Sequence, residues 1–297
     1  MIETGLLAGV ALDALAGDPR RGHPVAAFGR AAGALERRLY ADSRTRGAVF
    51  AGLCVLGAAA VGVAARRRTA LVTWAVLGGT SLAREGLAMG RSLESGDIEA
   101  ARARLPHLCG RDPSALDEKE LARATVESIA ENTSDAAVAP LLWGAAFGAP
   151  GLAAYRAINT LDAMVGHRSS RYERFGWAAA RTDDVANWVP ARVTGLLTVA
   201  CAPLAGGSPR AAYRVLRRDG ARHPSPNAGR CEAAFAGALG VRLGGVNVYG
   251  TRTEYRPELG DGRAPEPGDI RRAVRLSRAV TLASALLAAG ARLAVRR

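Results

Sequence analysis

Lysine is almost missing from this chain. Of 297 residues only Lys119 is a lysine, and it sits in EKEL. A phosphate loop of the form GxxxxGK[ST] is therefore excluded, because no other lysine could complete it. The fingerprints GxGxxG, GxSxG and HExxH are absent too, so any nucleotide is bound without a standard phosphate loop. Cysteines stand far apart, at 54, 109, 201 and 231, and form no CxxC pair, which disfavours zinc and disulfide frameworks. Cys54 and Cys201 lie in apolar runs and read as core residues. The four histidines lack metal-ligand spacing. Aromatic residues are 5% of the chain, and no basic stripe carries interleaved stacking residues, so no nucleic-acid partner is expected. The amino-terminal apolar run is short, carries Asp13 and lacks a basic leader, unlike a cleavable signal.

What is present is arginine, alanine and long uncharged runs. The formal charge of +13 is almost entirely arginine, which a GC-rich genome favours. Its functional readings are anionic headgroups and phosphate-bearing substrates. Runs without charge cover residues 47–65, 136–155 and 193–209, lengths that suit membrane spans or deeply buried helices. Weaker runs cover 69–83 and 279–291, the latter flanked by Arg278 and Arg292, whose stems can snorkel. Mean hydropathy is only +0.04, so substantial polar segments accompany the spans. The soluble alternative is an alanine-rich helical enzyme that buries these runs. No long linker and no internal repeat divides the chain, which favours one domain.

Residues 84–135 read as helices. Asp97 is placed to cap IEAARARL, and a second helix is expected over roughly 117–131. Residues 208–278, rich in arginine, glycine and proline, read as irregular loops, and strands should be few.

The acid and amide residues fall in four clusters. ESIAENTSDAAVAPLLW carries Glu127, Glu131 and Asp135; RAINTLDAMVGHR carries Asn159, Asp162, His167 and Arg168. TDDVANWVPAR carries Asp183, Asp184 and Asn187; RDGARHPSPNAG carries Asp219, His223, Ser225 and Asn227, followed by Glu232. LAGDPRRGHP adds Asp18 and His23. Such oxygens are hard ligands suited to magnesium shared with substrate phosphates, and neighbouring arginines suit phosphate or carboxylate. Each cluster also has a structural reading. Glu127 and Glu131 could form a solvated acidic face, and HPSPN a rigid turn in which His223 caps a helix.

Taken in order, these clusters resemble the CobD/CbiB family of cobalamin biosynthesis over nearly the whole chain. The likeness begins at LLAGVALDALAGDPRRGHPVAAFGR and runs through ATVESIAENTSDAAVAPLLW and YRAINTLDAMVGHRSSRYERFGWAAARTDDVANWVPAR. It continues through RRDGARHPSPNAGRCEAAFAGALGVRLGG to NVYG and LGDGR. One departure is Cys231, where the family often has proline before the glutamate.

The resemblance implies an all-α fold, a polytopic membrane helical bundle with polar cytoplasmic helices and loops, as one integral domain over 1–297. It implies a multi-pass protein of the cell (inner) membrane. The implied activity is adenosylcobinamide-phosphate synthase, an amide-forming ligase. It joins the free propionate of adenosylcobyric acid to (R)-1-amino-2-propanol O-phosphate or an ethanolamine analogue, driven by ATP and Mg2+. The implied partners are the corrinoid, the amino alcohol phosphate and membrane lipid, with a homo-oligomer or an assembly with other enzymes of the pathway.

Glu127, Glu131, Asp135, Asp183 and Asp184 are the expected metal ligands. Asn159, Asp162 and Asn187 would orient substrate or metal. Arg168, His223, Ser225 and Asn227 would bind phosphate. His223 is the expected base, with Glu131 and Asp184 beside it as catalytic residues. Two other readings stay open here: an intramembrane prenyltransferase of the UbiA type, and a non-enzymatic transporter or assembly subunit.

Overall fold

The computed structural model describes residues 2–18, 22–167, 169–249 and 252–295. The chain is helical almost throughout. Helices α1 (Ile2–Ala16), α2 (Pro24–Leu39), α3 (Arg44–Ala64), α4 (Thr69–Val76) and α5 (Gly79–Glu94) come first. They are followed by α6 (Ile98–Arg104), α7 (Glu118–Thr133), α8 (Ala139–Phe147), α9 (Ala149–Leu161) and α10 (Trp177–Ala186). Next come α11 (Trp188–Cys201), α12 (Pro209–Asp219) and α13 (Ala228–Leu239). An antiparallel hairpin, β1 (Leu243–Tyr249) and β2 (Arg252–Leu259), precedes the long α14 (Pro267–Val295).

Local chemistry sets several boundaries as the sequence predicts. The Asp97 carboxylate accepts from the Ala100 N–H and starts α6. Asp117 and Glu120 form a capping box that starts α7, two orphan donors satisfied reciprocally.

Among the described residues, three helices are long and apolar enough to cross a membrane: Arg44–Ala64, Trp188–Ala205 and Pro267–Ala294. The first two correspond to the runs expected at 47–65 and 193–209. The weak run at 279–291 belongs to a much longer helix, because arginines that end an uncharged run need not end a helix.

The run at 136–155 is not one span. A π turn over Ser134–Val138 leads into α8, the backbone reverses hand at Gly148 (φ 68°), and α9 begins again with Pro150 in its first turn. Counting charges does not detect a Gly-Pro break. The run at 69–83 is likewise broken, at Leu77 and Gly78 between α4 and α5. Residues 208–278 contain α12, α13 and the hairpin rather than loops. Helix α13 is buried all round apart from Arg230, and such a helix shows no amphipathic period for a sequence reading to find.

The chain forms two compact units, each assembled from separated stretches: residues 1–78, 135–188 and 284–297, and residues 79–134 and 189–283. This interleaving explains why no linker is visible. In the first unit, Gly5 and Gly9 of α1 meet Thr69 and Thr73 of α4 so closely that a Cβ would overlap either threonine. Small residues four apart allow this approach in helices of low polarity. Phe50, Phe175 and Leu161 anchor one of its apolar clusters. In the second unit the core is carried by α7 and α13, and the hairpin is tied to α7 through Arg123, which donates to the Val246 carbonyl at 2.7 Å and also to the Gly244 carbonyl.

Candidate functional site

The four polar clusters of the sequence resolve into two centres, one in each unit. In the first unit, α9, α10 and two π turns bring together Asp135, Asn159, Asp162, Asp183, Asp184 and Asn187. Asn187 donates to Asp183 Oδ2 at 3.0 Å, and the buried Tyr155 hydroxyl donates to Asn187 Oδ1 at 2.8 Å. Asn159 donates to Asp135 Oδ2 at 3.2 Å and lies within hydrogen-bonding reach of Asp183. Its own Oδ1 faces Arg156 Nη1 at 3.4 Å. Asp18 and Asp135 are within electrostatic reach of Arg156, which adds the amino-terminal cluster to this centre. His23 has a structural role, since its Nδ1 accepts from the Val25 N–H and caps α2.

The π turns matter to this geometry. Each widens a helix by one residue, and such bulges recur where a side chain must be aimed. Asp135 lies in the first and Asp162 opens the second, over Asp162–Gly166. Burial pushes the Asp183 carboxyl up to about 7, with the charges of Asp162 and Asp184 adding to the shift and its asparagine bonds opposing it. Burial and the charge of Asp184 push Asp162 up to about 6. Burial also raises Asp184, against Arg181 at 3.9 Å. Asp183 Oδ1 is buried with no hydrogen-bond partner among the described residues. Buried acids without compensation favour the protonated form until a cation arrives.

In the second unit, Glu127, Glu131 and Glu232 line one cavity, with His223 beside Glu232. Both oxygens of Glu127 are occupied: Oε2 by Arg111 Nη2 at 2.5 Å, and Oε1 by the Gly244 N–H at 2.7 Å. Glu127 therefore clamps Arg111 and the hairpin, and it is buried rather than part of a solvated acidic face. Glu131, one turn on, is exposed. Ser225 Oγ accepts from the N–H groups of Asn227 and Ala228, which caps the start of α13. His223 Nδ1 accepts from the Ser225 N–H at 3.0 Å, while its Nε2 lies 3.9 Å from Glu232 Oε1. Neither of those two atoms has a hydrogen-bond partner among the described residues, and both side chains are at most 3% exposed. Burial, with Arg256 adding to it, lowers His223 to about 4. Burial and the charges of Glu127 and Glu131 raise Glu232 well above the usual carboxylate range.

Of the expected metal set, Glu127 and Glu131 lie in the second unit and Asp135, Asp183 and Asp184 in the first. Arg168 lies outside the described residues. Asp219 is fully buried and held by Arg218, Arg222 and the Gly260 N–H. Among the described residues no three His, Cys, Asp or Glu side chains form a ready-made metal cage. Sequence reasoning misses Tyr155, Arg156, Arg111 and Arg256. The one visible signal is Arg156, a lone charge closing an uncharged run.

The CobD/CbiB protein family model matches residues 6–277. A relative named cobalamin biosynthesis protein CobD, from Mycobacterium tuberculosis (strain ATCC 25618 / H37Rv), is 58% identical over 96% of this chain and 94% of its own. Proteins of the same name from Geobacter metallireducens and Rhodobacter capsulatus are 46% and 42% identical over 89% and 87% of this chain, and over 89% and 86% of theirs. No solved structure matches. Matched along nearly its whole length by the family model and by these relatives, the chain belongs to the CobD/CbiB family of cobalamin biosynthesis proteins.

Proposed function

We propose that this protein is a multi-pass enzyme of the cell membrane that makes adenosylcobinamide phosphate, joining adenosylcobyric acid to an amino alcohol phosphate at the expense of ATP. The observation that carries the reading is the first unit's acid pair. Asp162 and Asp183 sit partly withdrawn from water with an orphaned oxygen and, among the described residues, no arginine ion pair of their own. That donor set fits magnesium, which takes one or two protein carboxylates and completes its shell with water and phosphate oxygens. Asp183 and Asp162 would hold the ion, with Asn159 and Asn187 orienting the carboxylates. When bound, the ion offsets the charge on a transferring phosphoryl group.

The chain's own groups supply the rest. A propionate is a poor acyl donor, so it is first phosphorylated; the amine then displaces phosphate and loses a proton. Arg156 offers positive charge beside the acids. In the second unit His223 is held neutral, with Nε2 open to accept the proton. An ionised Glu232 alongside would strengthen it as a base. The polar segments face the cytoplasm, where ATP is.

Family membership removes the support for the prenyltransferase reading. A transporter reading draws on one feature, the broken α8–α9 segment, since interrupted helices mark many transport sites. One assay separates the two. The full chain in lipid nanodiscs is given adenosylcobyric acid, (R)-1-amino-2-propanol O-phosphate, ATP and magnesium, and the product is followed by mass spectrometry. Adenosylcobinamide phosphate is expected, with loss of product when ATP or magnesium is withheld. No product from protein verified as folded would overturn the synthase reading.

A further inference from the structure

The second unit holds a small polar cavity of about 200 Å3 among Cys109, Arg111, Glu127, Glu131, Glu232 and Arg256. Pockets for drug-sized ligands run to roughly 300–1,000 Å3. At about 30 Å3 per water-sized group, this one holds roughly seven such groups, the scale of a very small ligand. A corrin or a nucleotide is far too large. The lining carries charge of both signs. Arg111 and Arg256 supply guanidinium donors suited to phosphate oxygens, whereas Glu131 and Glu232 supply carboxylates suited to an ammonium group. Glu127 is already committed to Arg111 and the Gly244 N–H.

The decisive atom is Glu232 Oε1. It is buried, has no hydrogen-bond partner among the described residues, and belongs to a side chain 2% exposed. A buried carboxylate oxygen left unpaired is costly, and a cation delivered with its own hydrogen-bond donors removes the cost. We propose that this cavity is the binding site for a small phosphorylated primary amine, with Arg256 and Arg111 on the phosphate and Glu232 and Glu131 on the ammonium group. The proposal rests on the synthase reading for the identity of the amine, an amino alcohol phosphate, but the cavity's chemistry stands apart from any reaction.

Cys109 provides a direct readout. It is half-buried and lines the cavity, whereas Cys54, Cys201 and Cys231 are buried elsewhere. The full chain in nanodiscs is treated with a maleimide at pH 8, alone or with ethanolamine phosphate, ethanolamine or inorganic phosphate, and modification of Cys109 is followed by peptide mass spectrometry. Ethanolamine phosphate should slow the modification at least fivefold at concentrations where neither half does so more than twofold. In calorimetry it should bind at least tenfold more tightly than either half. Glu232→Gln and Arg256→Met should each weaken that binding at least tenfold, with Arg256→Lys recovering part of it. Equal protection by inorganic phosphate alone, or none by any probe, overturns the proposal.

The two readings fail separately. Protection by ethanolamine phosphate with no amide formed would sink the synthase reading and leave the cavity assignment standing. Amide formation with an unchanged KM for the amino alcohol phosphate in both cavity variants would sink the assignment and leave the synthase.

Discussion

Asp183 in the first unit and Glu127 in the second are both carboxylates drawn out of water, and they differ in what they are given in return. Glu127 has a guanidinium on one oxygen and a backbone N–H on the other. Asp183 has an asparagine on one oxygen, no hydrogen bond on the other among the described residues, and more acids as neighbours. A buried charge that is fully paired holds the fold together, because losing one partner strands the other. A buried acid surrounded by acids weakens the fold, and survives where something from outside completes it. Burial alone therefore does not separate these two carboxylates; the completeness of their compensation does.

The largest expected effect tests the paired member. Glu127→Gln takes from Arg111 the carboxylate 2.5 Å away and loosens the hairpin at Gly244. The cost should be about 3–5 kcal/mol, read as a fall in the denaturant or thermal midpoint of the full chain in detergent. Arg111→Met should cost a similar amount, and the double variant less than the sum, since the two act as one pair. A Glu127→Gln midpoint within error of wild type would erase the contrast with Asp183.

Asp183→Asn should behave in the opposite way. The folded-state carboxyl is raised to about 7, so folding favours its protonated form. Its ionisation costs stability as pH rises from the ordinary carboxylate range toward 7, and a neutral amide removes that cost. The variant should be as stable as wild type or more so near pH 7. Synthase turnover should nevertheless fall at least a hundredfold, about 2.7 kcal/mol of transition-state stabilisation. Turnover within threefold of wild type, at saturating magnesium, would remove Asp183 from the site.

Asp219 extends the comparison to acid pH. Hydrogen bonds from Arg218 lead in lowering its carboxyl to about 2. A lowered folded-state value means stability present above the ordinary carboxylate range near 3.8 and lost as pH falls toward 2. Asp219→Asn should be destabilised at pH 6, and the gap to wild type should close between about pH 4 and 2. A gap that stays constant over that window would show that Asp219 contributes shape rather than charge.

How much of this is legible in the sequence follows the same physics. Local rules find Asp97, the start of α7 and the apolar run of α3, because caps and long uncharged stretches act within a few residues. Asn159, Asp162, Asp183 and Asn187 stand out by type and do meet. Glu127 and Glu131 lie in one unit and Asp135 in the other, a division that residue type does not mark. A π turn and a unit boundary come shortly after Glu131, and neither has a mark in the residue types. Arg111 and Arg256 are hidden because arginine is so abundant here that no single one stands out. Helix α13 is hidden because its glycines and alanines read as loop when they are in fact what lets a helix pack on every side.

The smallest effect separates a cap from a ligand. By residue type and position Ser225 is expected on phosphate, whereas its Oγ accepts from two N–H groups at the start of α13. Ser225→Ala should cost about 1 kcal/mol, the net worth of a typical hydrogen bond, and shift the unfolding midpoint by a few degrees at most. A cap lost by substitution leaves the approach of phosphate to Arg256 untouched, so the KM for the amino alcohol phosphate should change less than threefold. Ser225→Asp, which keeps an accepting oxygen at the helix start, should recover the stability, because a carboxylate is favoured at a helix amino terminus. It would also place negative charge in the loop that carries His223. A phosphate ligand would respond in the reverse sense. Alanine would raise KM tenfold or more with little change in the midpoint, and aspartate would raise it further through repulsion. The two substitutions together therefore assign Ser225 by the sign of their effects, even though each effect is small.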